Sequence, residues 1–311
     1  MKVLHLSDTT LSGAPYRLSQ AYSKYSGHEA RHIVWHPVIH TRVFPTDLIG
    51  SQMKKTELKK WLEWADVIHY HNRWQRQEIF QHLKIKPPKK PSVIQIHSPR
   101  DSEDFSQEVE SGIPLAVIAQ YHVRQWPEKR FIVPNVVDIY DDLHSPVERP
   151  VRRIPIVSYA PSNAVCRGWD DKSYTVVAPI AKRLSLNNEI IYQRILNMPH
   201  TECLKLKQMA DIGIDEVSTG SYHMSSLEYL SMGVACIGRL DSECERVVKD
   251  LTGADWLPWL MSDPQRFKVD LSTMVRTRSY IDIGKRSREW MEKYWNPKDT
   301  CEYWTKVYES L

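Results

Sequence analysis

Apolar residues along the chain alternate between two textures. Short unbroken runs, suited to buried parallel strands, occur at Lys2–Ser7 (KVLHLS), Arg31–Trp35 (RHIVW), Asp66–His71 (DVIHYH), Ser92–His97 (SVIQIH), Pro114–Gln120 (PLAVIAQ) and Arg130–Val133 (RFIV). Between them lie stretches with helical spacing. Tyr16–Tyr25 carries Leu18, Ala21 and Tyr25 on one side, Lys54–Trp64 carries Leu58, Trp61 and Leu62, and Trp74–Leu83 reads as a further helix. Strands and helices alternating at these lengths predict a parallel sheet with helices on both faces.

The polar segment His144–Ile154 (HSPVERPVRRI), with its two prolines, reads as a linker. The pattern then restarts. Strands are predicted at Ile154–Ala160, Glu189–Arg194, Asp211–Asp215 and Val234–Gly238. Helices are predicted at Tyr174–Leu184, Glu202–Met209, Ser225–Ser231, Thr277–Tyr294 and Pro297–Leu311, and no element is assigned from 239 to 276. The expected fold class is α/β, with two Rossmann-like domains over residues 1–145 and 154–290.

The length of 311 residues suits two domains. The five cysteines are scattered and form no CxxC pair, so neither a zinc site nor a disulfide framework is indicated. A net charge of +4 is too mild to diagnose a nucleic-acid binder, but it fits an anionic ligand, an acidic polymer or a membrane surface. No apolar run is long enough to span a bilayer, and MKVLHLSDTT lacks the apolar stretch of a signal peptide. A cytoplasmic location is the expectation.

Ligands of parallel α/β sheets bind outside the carboxyl ends of the strands, so the loops there carry the candidate chemistry. After the first strand, Ser12 and Gly13 open a turn into a helix, where a glycine admits close backbone approach and the helix start favours phosphate. His97 ends an apolar strand and is placed to meet a substrate hydroxyl, whereas His69 and His71, one strand earlier, read as structural. In the loop Ser162–Lys172 (SNAVCRGWDDK), Arg167 and Lys172 offer a fork and a point charge to a diphosphate. In Gly220–Gly233 (GSYHMSSLEYLSMG), Ser225 and Ser226 read as a helix start able to bind phosphate, and Glu228 as an acceptor for a ribose diol. The plainer readings are an ordinary turn, a satisfied histidine, a solvated charged loop and a carboxylate that favours its helix terminus.

These motifs, in order and spacing, resemble the family-4 glycosyltransferases, which are retaining enzymes of GT-B fold. Ser12–Gly13 falls where that family carries its glycine-rich donor loop. Ala65–Asn72 (ADVIHYHN) is similar to its "aDvIhvH" strand, and Ile94–Ser98 (IQIHS) to the strand whose histidine lies near the transferred sugar. Ile132–Asp138 (IVPNVVD) resembles the "iPNGVD" signature. Arg167 and Lys172 resemble the pair that holds the donor diphosphate. Ala210–Ile214, Ser226–Glu228 and Gly233–Ala235 resemble the donor segment, in which the glutamate binds the nucleotide ribose.

The resemblance implies a GT-B architecture, two Rossmann-like domains facing across a cleft, with residues 291–311 packing back toward the first. It implies metal-independent transfer of a sugar from a nucleoside-diphosphate sugar, without a cofactor. His97, Arg167 and Lys172 are the expected catalytic residues, and Ser12, Gly13, Ser225, Ser226, Glu228 and His223 the expected donor contacts. The acceptor is expected to be a polysaccharide, a lipid-linked glycan or a modified DNA base. Lys54, Lys55, Lys59 and Lys60 on one helix offer a contact for anionic lipid or a phosphate backbone, the plainer reading being a solvated face. The chain is short for the family, like compact members from phages and polysaccharide gene clusters. It also departs at Gly220, where the family carries the first of two glutamates. His223 or Tyr222 is the expected substitute, or else the donor sugar is unusual, such as a pentose. The alternatives are a nucleotide-sugar 2-epimerase of the same fold and a catalytically silent nucleotide- or sugar-binding protein.

Overall fold

The computed structural model describes residues 1–39, 42–161 and 173–311, which form two compact units, Met1–Val136 with Pro297–Leu311, and Val137–Asn296.

The first unit contains strands β1 (Lys2–Thr9), β2 (Glu29–His36), β3 (Val38–Ile39), β4 (Arg42–Val43), β5 (Leu48–Ile49), β6 (Val67–His71), β7 (Ser92–Ile96), β8 (Leu115–Ile118) and β9 (Phe131–Val133). β3 and β4 pair antiparallel by themselves, and the other seven form one sheet in the order β5-β2-β1-β6-β7-β8-β9, every pair parallel. The chain builds outward from β1 to one edge and then returns to β1's other side. The carboxyl ends of β1 and β6 therefore flank a topological switch point, where open α/β sheets bind ligands. Helices α1 (Ala14–Tyr25), α2 (Lys55–Trp64), α3 (Glu78–Leu83) and α4 (Ser106–Glu110) make the crossovers.

The same unit is completed from the far end of the chain. In the helix Pro297–Glu309, Cys301, Trp304, Val307 and Tyr308 are buried in one core with Val3, Leu18, Ala21, Tyr22 and Val93. The spacing of those four places them on one helical stripe, which is why this segment docks.

In the second unit, β10 (Ile156–Tyr159), β11 (Ile191–Arg194), β12 (Ile212–Ile214), β13 (Ala235–Gly238) and β14 (Leu260–Met261) form a parallel sheet in the order β11-β10-β12-β13-β14. Its switch point lies between β10 and β12. Around it run α5 (Tyr174–Leu186), α6 (His200–Gln208), α7 (Met224–Ser231), α8 (Ser242–Thr252), α9 (Phe267–Thr277) and α10 (Tyr280–Tyr294), and the remaining helix, Pro297–Glu309, is α11. Among the described residues no helix is long and apolar enough to cross a membrane.

The chain passes between units at Val136–Val137, ahead of the segment 144–154 read above as a linker. That segment belongs to the second unit because its polar residues have partners there. Arg149 donates to the carbonyls of Met232 and Gly233 at 3.2 and 2.7 Å, and Arg288 of α10 donates to Ser231 O at 2.7 Å. The two guanidiniums thus satisfy the carbonyl end of α7, where positive charge is favoured.

Candidate functional site

In the first unit the loop after β1 is strained. Leu11, Ser12 and Gly13 have successive φ values of 44°, 55° and 77°, a left-handed run that costs free energy at the two non-glycine positions. Gly13 N donates to Thr10 O at 2.7 Å, and α1 starts directly after it with Pro15 in its first turn. A Cβ on Gly13 would meet Phe44 Cδ1 at 2.9 Å and Arg17 Nη1 at 3.0 Å. Two of the protein's own side chains thus lie against this glycine, and Arg17 also donates to Ser12 O at 2.8 Å.

His97 directly follows β7 and is partly exposed. Its backbone N–H donates to Asn72 Oδ1 at 2.7 Å, and Asn72 Nδ2 donates to Ser98 Oγ at 2.8 Å, so the ends of β6 and β7 are tied together. Behind His97 stands a row of imidazoles. Parallel register sets His5 of β1 between His32 of β2 and His69 of β6, and His71 follows two residues along β6 on the same face. His97 Nε2 lies 2.8 Å from His71 Nδ1, and His71 Nε2 lies 3.1 Å from His5 Nδ1. His69 Nδ1 meets Tyr308 Oη of α11 at 2.8 Å, and His32 Nε2 meets Ser7 Oγ at 2.8 Å.

Burial lowers the pKa of every member of this row. His32 falls to about 3, and His5, His69 and His71 fall well below the ordinary value, helped by neighbouring imidazoles. His97 falls to about 3 through desolvation, with His122 and Arg17 adding repulsion. All are neutral at physiological pH. His5, His69 and His71 each bring one ring nitrogen within 4.8 Å of the others.

In the second unit the segment after β12 is organised by its own acids. Glu216 accepts from the backbone N–H groups of Ser218 and Thr219 at 2.7 and 2.6 Å, and Ser173 Oγ contacts both Glu216 and the amide of Val217. Asp215 Oδ2 accepts from His223 N at 2.6 Å. Gly220 sits at φ 78°, and a Cβ there would lie 2.8 Å from Asp241 Oδ2. A glutamate on this backbone would be strained and would crowd Asp241, which is a local reason for the departure noted above.

Glu228 of α7 is held on both oxygens. Lys207 Nζ lies 2.6 Å from Oε2 and His200 Nε2 2.8 Å from Oε1, and Lys207 also donates to Ser225 Oγ at 2.8 Å. Burial works against the Lys207 charge, but Glu228 more than offsets it and the lysine pKa is raised.

Several sequence expectations change here. His223, not a serine, is the N-cap of α7. Ser225 Oγ is engaged by Lys207, and the buried Ser226 Oγ donates to His223 O, so neither hydroxyl caps the helix. Tyr222 is core, packed against Trp259 and Trp295, and cannot stand in for a sugar-binding glutamate. Arg167 and Lys172 lie outside the described residues. Ser12, Gly13 and His97 belong to the first unit, and His223, Ser225, Ser226 and Glu228 to the second. Sequence reasoning missed Lys207 and His200, whose partner Glu228 is 21 and 28 residues away.

No family model matches the chain, and no curated protein matches it. Solved structures do. A glycosyltransferase from Rickettsia africae matches with a TM-score of 0.61 at 12% identity, over 99% of this chain and 98% of that one. Sucrose-phosphate synthase from Thermosynechococcus elongatus matches with a TM-score of 0.59 at 12% identity, over 100% and 99%. HepE from Anabaena, in complex with UDP, matches with a TM-score of 0.57 at 11% identity over the whole of both chains. The fold is GT-B. It comprises two α/β units, each built on a parallel sheet, as the alternation of strands and helices predicts.

Proposed function

We propose that this GT-B protein is a retaining glycosyltransferase that takes its sugar from a nucleoside diphosphate. The observation that carries the reading is Glu228, held on one carboxylate oxygen by Lys207 and on the other by His200 within the second unit. A carboxylate so held is fixed in orientation, and its remaining lone pairs are the ones a ribose diol would use. The neighbour HepE was solved with UDP and with UDP and glucose, which supports a nucleotide ligand of that class.

In this reading the acceptor hydroxyl passes its proton to the departing diphosphate oxygen as its own oxygen bonds to the anomeric carbon, while the bond from that carbon to the diphosphate breaks on the same face. Arg167 and Lys172 neutralise the departing diphosphate, the work a fixed positive charge does best. His97 hydrogen-bonds a sugar or acceptor hydroxyl. The conformation of Gly220 favours a donor whose sugar is held without a carboxylate at that position. Pentose donors therefore belong among those tried. Acceptors are a polysaccharide, a lipid-linked glycan or a DNA base, the last two reached with the help of the exposed Lys54, Lys55, Lys59 and Lys60.

The test is a thermal-shift panel of UDP, GDP, ADP and CMP sugars, followed by transfer assays with the donor that stabilises the protein. The reading expects one nucleotide class to raise the melting temperature and a Glu228→Gln variant to lose that rise. Binding without transfer to any acceptor would favour a silent nucleotide-binding protein, and an epimerised nucleotide sugar would favour a 2-epimerase.

A further inference from the structure

The imidazole row holds an unused piece of chemistry. His71 uses both ring nitrogens in hydrogen bonds, one to His5 and one to His97. A neutral imidazole has one N–H and one lone pair, so the chain His5–His71–His97 must be polarised in one direction or the other. If it runs inward, His97 donates to His71, His71 donates to His5, and His5 carries its proton on Nε2. That atom is fully buried and has no hydrogen-bond partner. If it runs outward, His5 Nδ1–H donates to His71 and His71 Nδ1–H to His97, and only a lone pair is left at His5 Nε2. A buried N–H without an acceptor is the rarer and costlier defect.

We infer that His5, His71 and His97 form an outward-donating hydrogen-bond chain that fixes His97 as its Nδ1–H tautomer, presenting a donor at the partly exposed end. Its Nε2 is spent on His71, and its backbone is held by Asn72, itself tied to Ser98. His5 and His71 are positioning residues, neutral because they are buried. The same cluster is poorly shaped to share a metal ion. The rings of His69 and His71 lie 4.2 Å apart and 16° from parallel, so their in-plane lone pairs run side by side and do not converge. That the donor serves a sugar or acceptor hydroxyl rests on the glycosyl-transfer reading, but the tautomer does not.

The experiment is long-range proton–nitrogen NMR on full-length, untagged protein labelled with 15N-histidine. His5, His71 and His97 are expected as Nδ1–H tautomers, against the Nε2–H preference of free histidine. His71→Leu removes the donor and is expected to release His97 to a mixture, whereas His71→Asn keeps an amide donor near the Nδ1 position and preserves Nδ1–H. If the protein transfers sugar, kcat is expected to drop about tenfold or more in His71→Leu and recover in His71→Asn. An Nε2–H tautomer at His97 in the wild type overturns the inference, whether or not either variant folds. So does one tightly bound zinc ion per chain that is lost in His5→Phe. Absence of transferase activity with the Nδ1–H tautomer intact overturns the functional reading alone.

Discussion

Lys207 Nζ lies 2.6 Å from Glu228 Oε2, and the two side chains are only 2% and 5% exposed. The ion pair bridges α6 and α7 inside the second unit, and each member compensates the burial of the other. Lys207→Met leaves the buried carboxylate with His200 alone and is expected to cost about 3–5 kcal/mol in urea unfolding, while Lys207→Met with Glu228→Leu recovers most of it. A single variant within about 1 kcal/mol of wild type would show that the pair is not an electrostatic unit.

Gly220 combines a left-handed backbone with the Asp241 carboxylate next to it, and Asp241 Oδ1 in turn caps α8 by accepting from Cys244 N at 2.9 Å. Gly220→Ala is expected to lower stability by about 1–2 kcal/mol, and Gly220→Glu by more, because the side chain also displaces the cap. Melting temperatures of the two variants check this. An unchanged value for Gly220→Glu would mean that the family's usual carboxylate does fit.

Stability should fall on mild acidification. The five histidines of the row have folded pKa values below their unfolded value of about 6.5, His32 and His97 at about 3. The unfolded chain therefore binds more protons between those limits. The stabilisation is complete above about pH 6.5 and is lost as the pH drops toward 3, by up to ~1.4 kcal/mol per pH unit for each histidine. Urea midpoints between pH 7.5 and 5 isolate the effect, because most carboxylates titrate lower. A flat profile there would contradict neutral, buried imidazoles.

On the glycosyl-transfer reading proposed above, Lys172→Ala is expected to reduce sugar transfer by about a hundredfold or more with little change in melting temperature. Steady-state kinetics beside a thermal melt decides it. Near-normal turnover in a folded variant removes the residue from the mechanism.

Trp304 of α11 is fully buried in the first unit, and its ring lies 4.8 Å from that of His69. Trp304→Ala is expected to cost about 3–5 kcal/mol by urea unfolding, a core value for a helix remote in sequence from the sheet it covers.

Much of the fold was legible because buried parallel strands write themselves as apolar runs: β6, β7 and β10 lie within the runs predicted for them, and β1 covers its run and continues to Thr9. His97 stood out in the sequence because strand ends can be read locally. The row behind it could not be. His5 and His69 meet only through the register of β1 against β6, which no local pattern states. For the same reason His69 and His71 read as merely structural, and Lys207 left no trace around itself. The segment 144–154 misled in the other direction. Its prolines and charges look like a linker, but Arg149 is consumed by the carbonyl end of α7, a tertiary partner about 80 residues on. α8 was overlooked despite a readable signal, Asp241 as its cap ahead of the buried Cys244, Val247 and Val248.

The first unit is closed by residues that come far along the chain from its last strand, β9 ending at Val133 and α11 starting at Pro297, since α11 supplies part of the core around Val3 and Val93. A ribosome making this chain releases β1 through β9 long before the helix that seals them exists. The second unit, continuous from Val137 to Asn296, is finished first, although it is begun later. The nascent sheet must wait with one face unsealed until α11 has been made, and this is the interval in which a chaperone would find the most to hold.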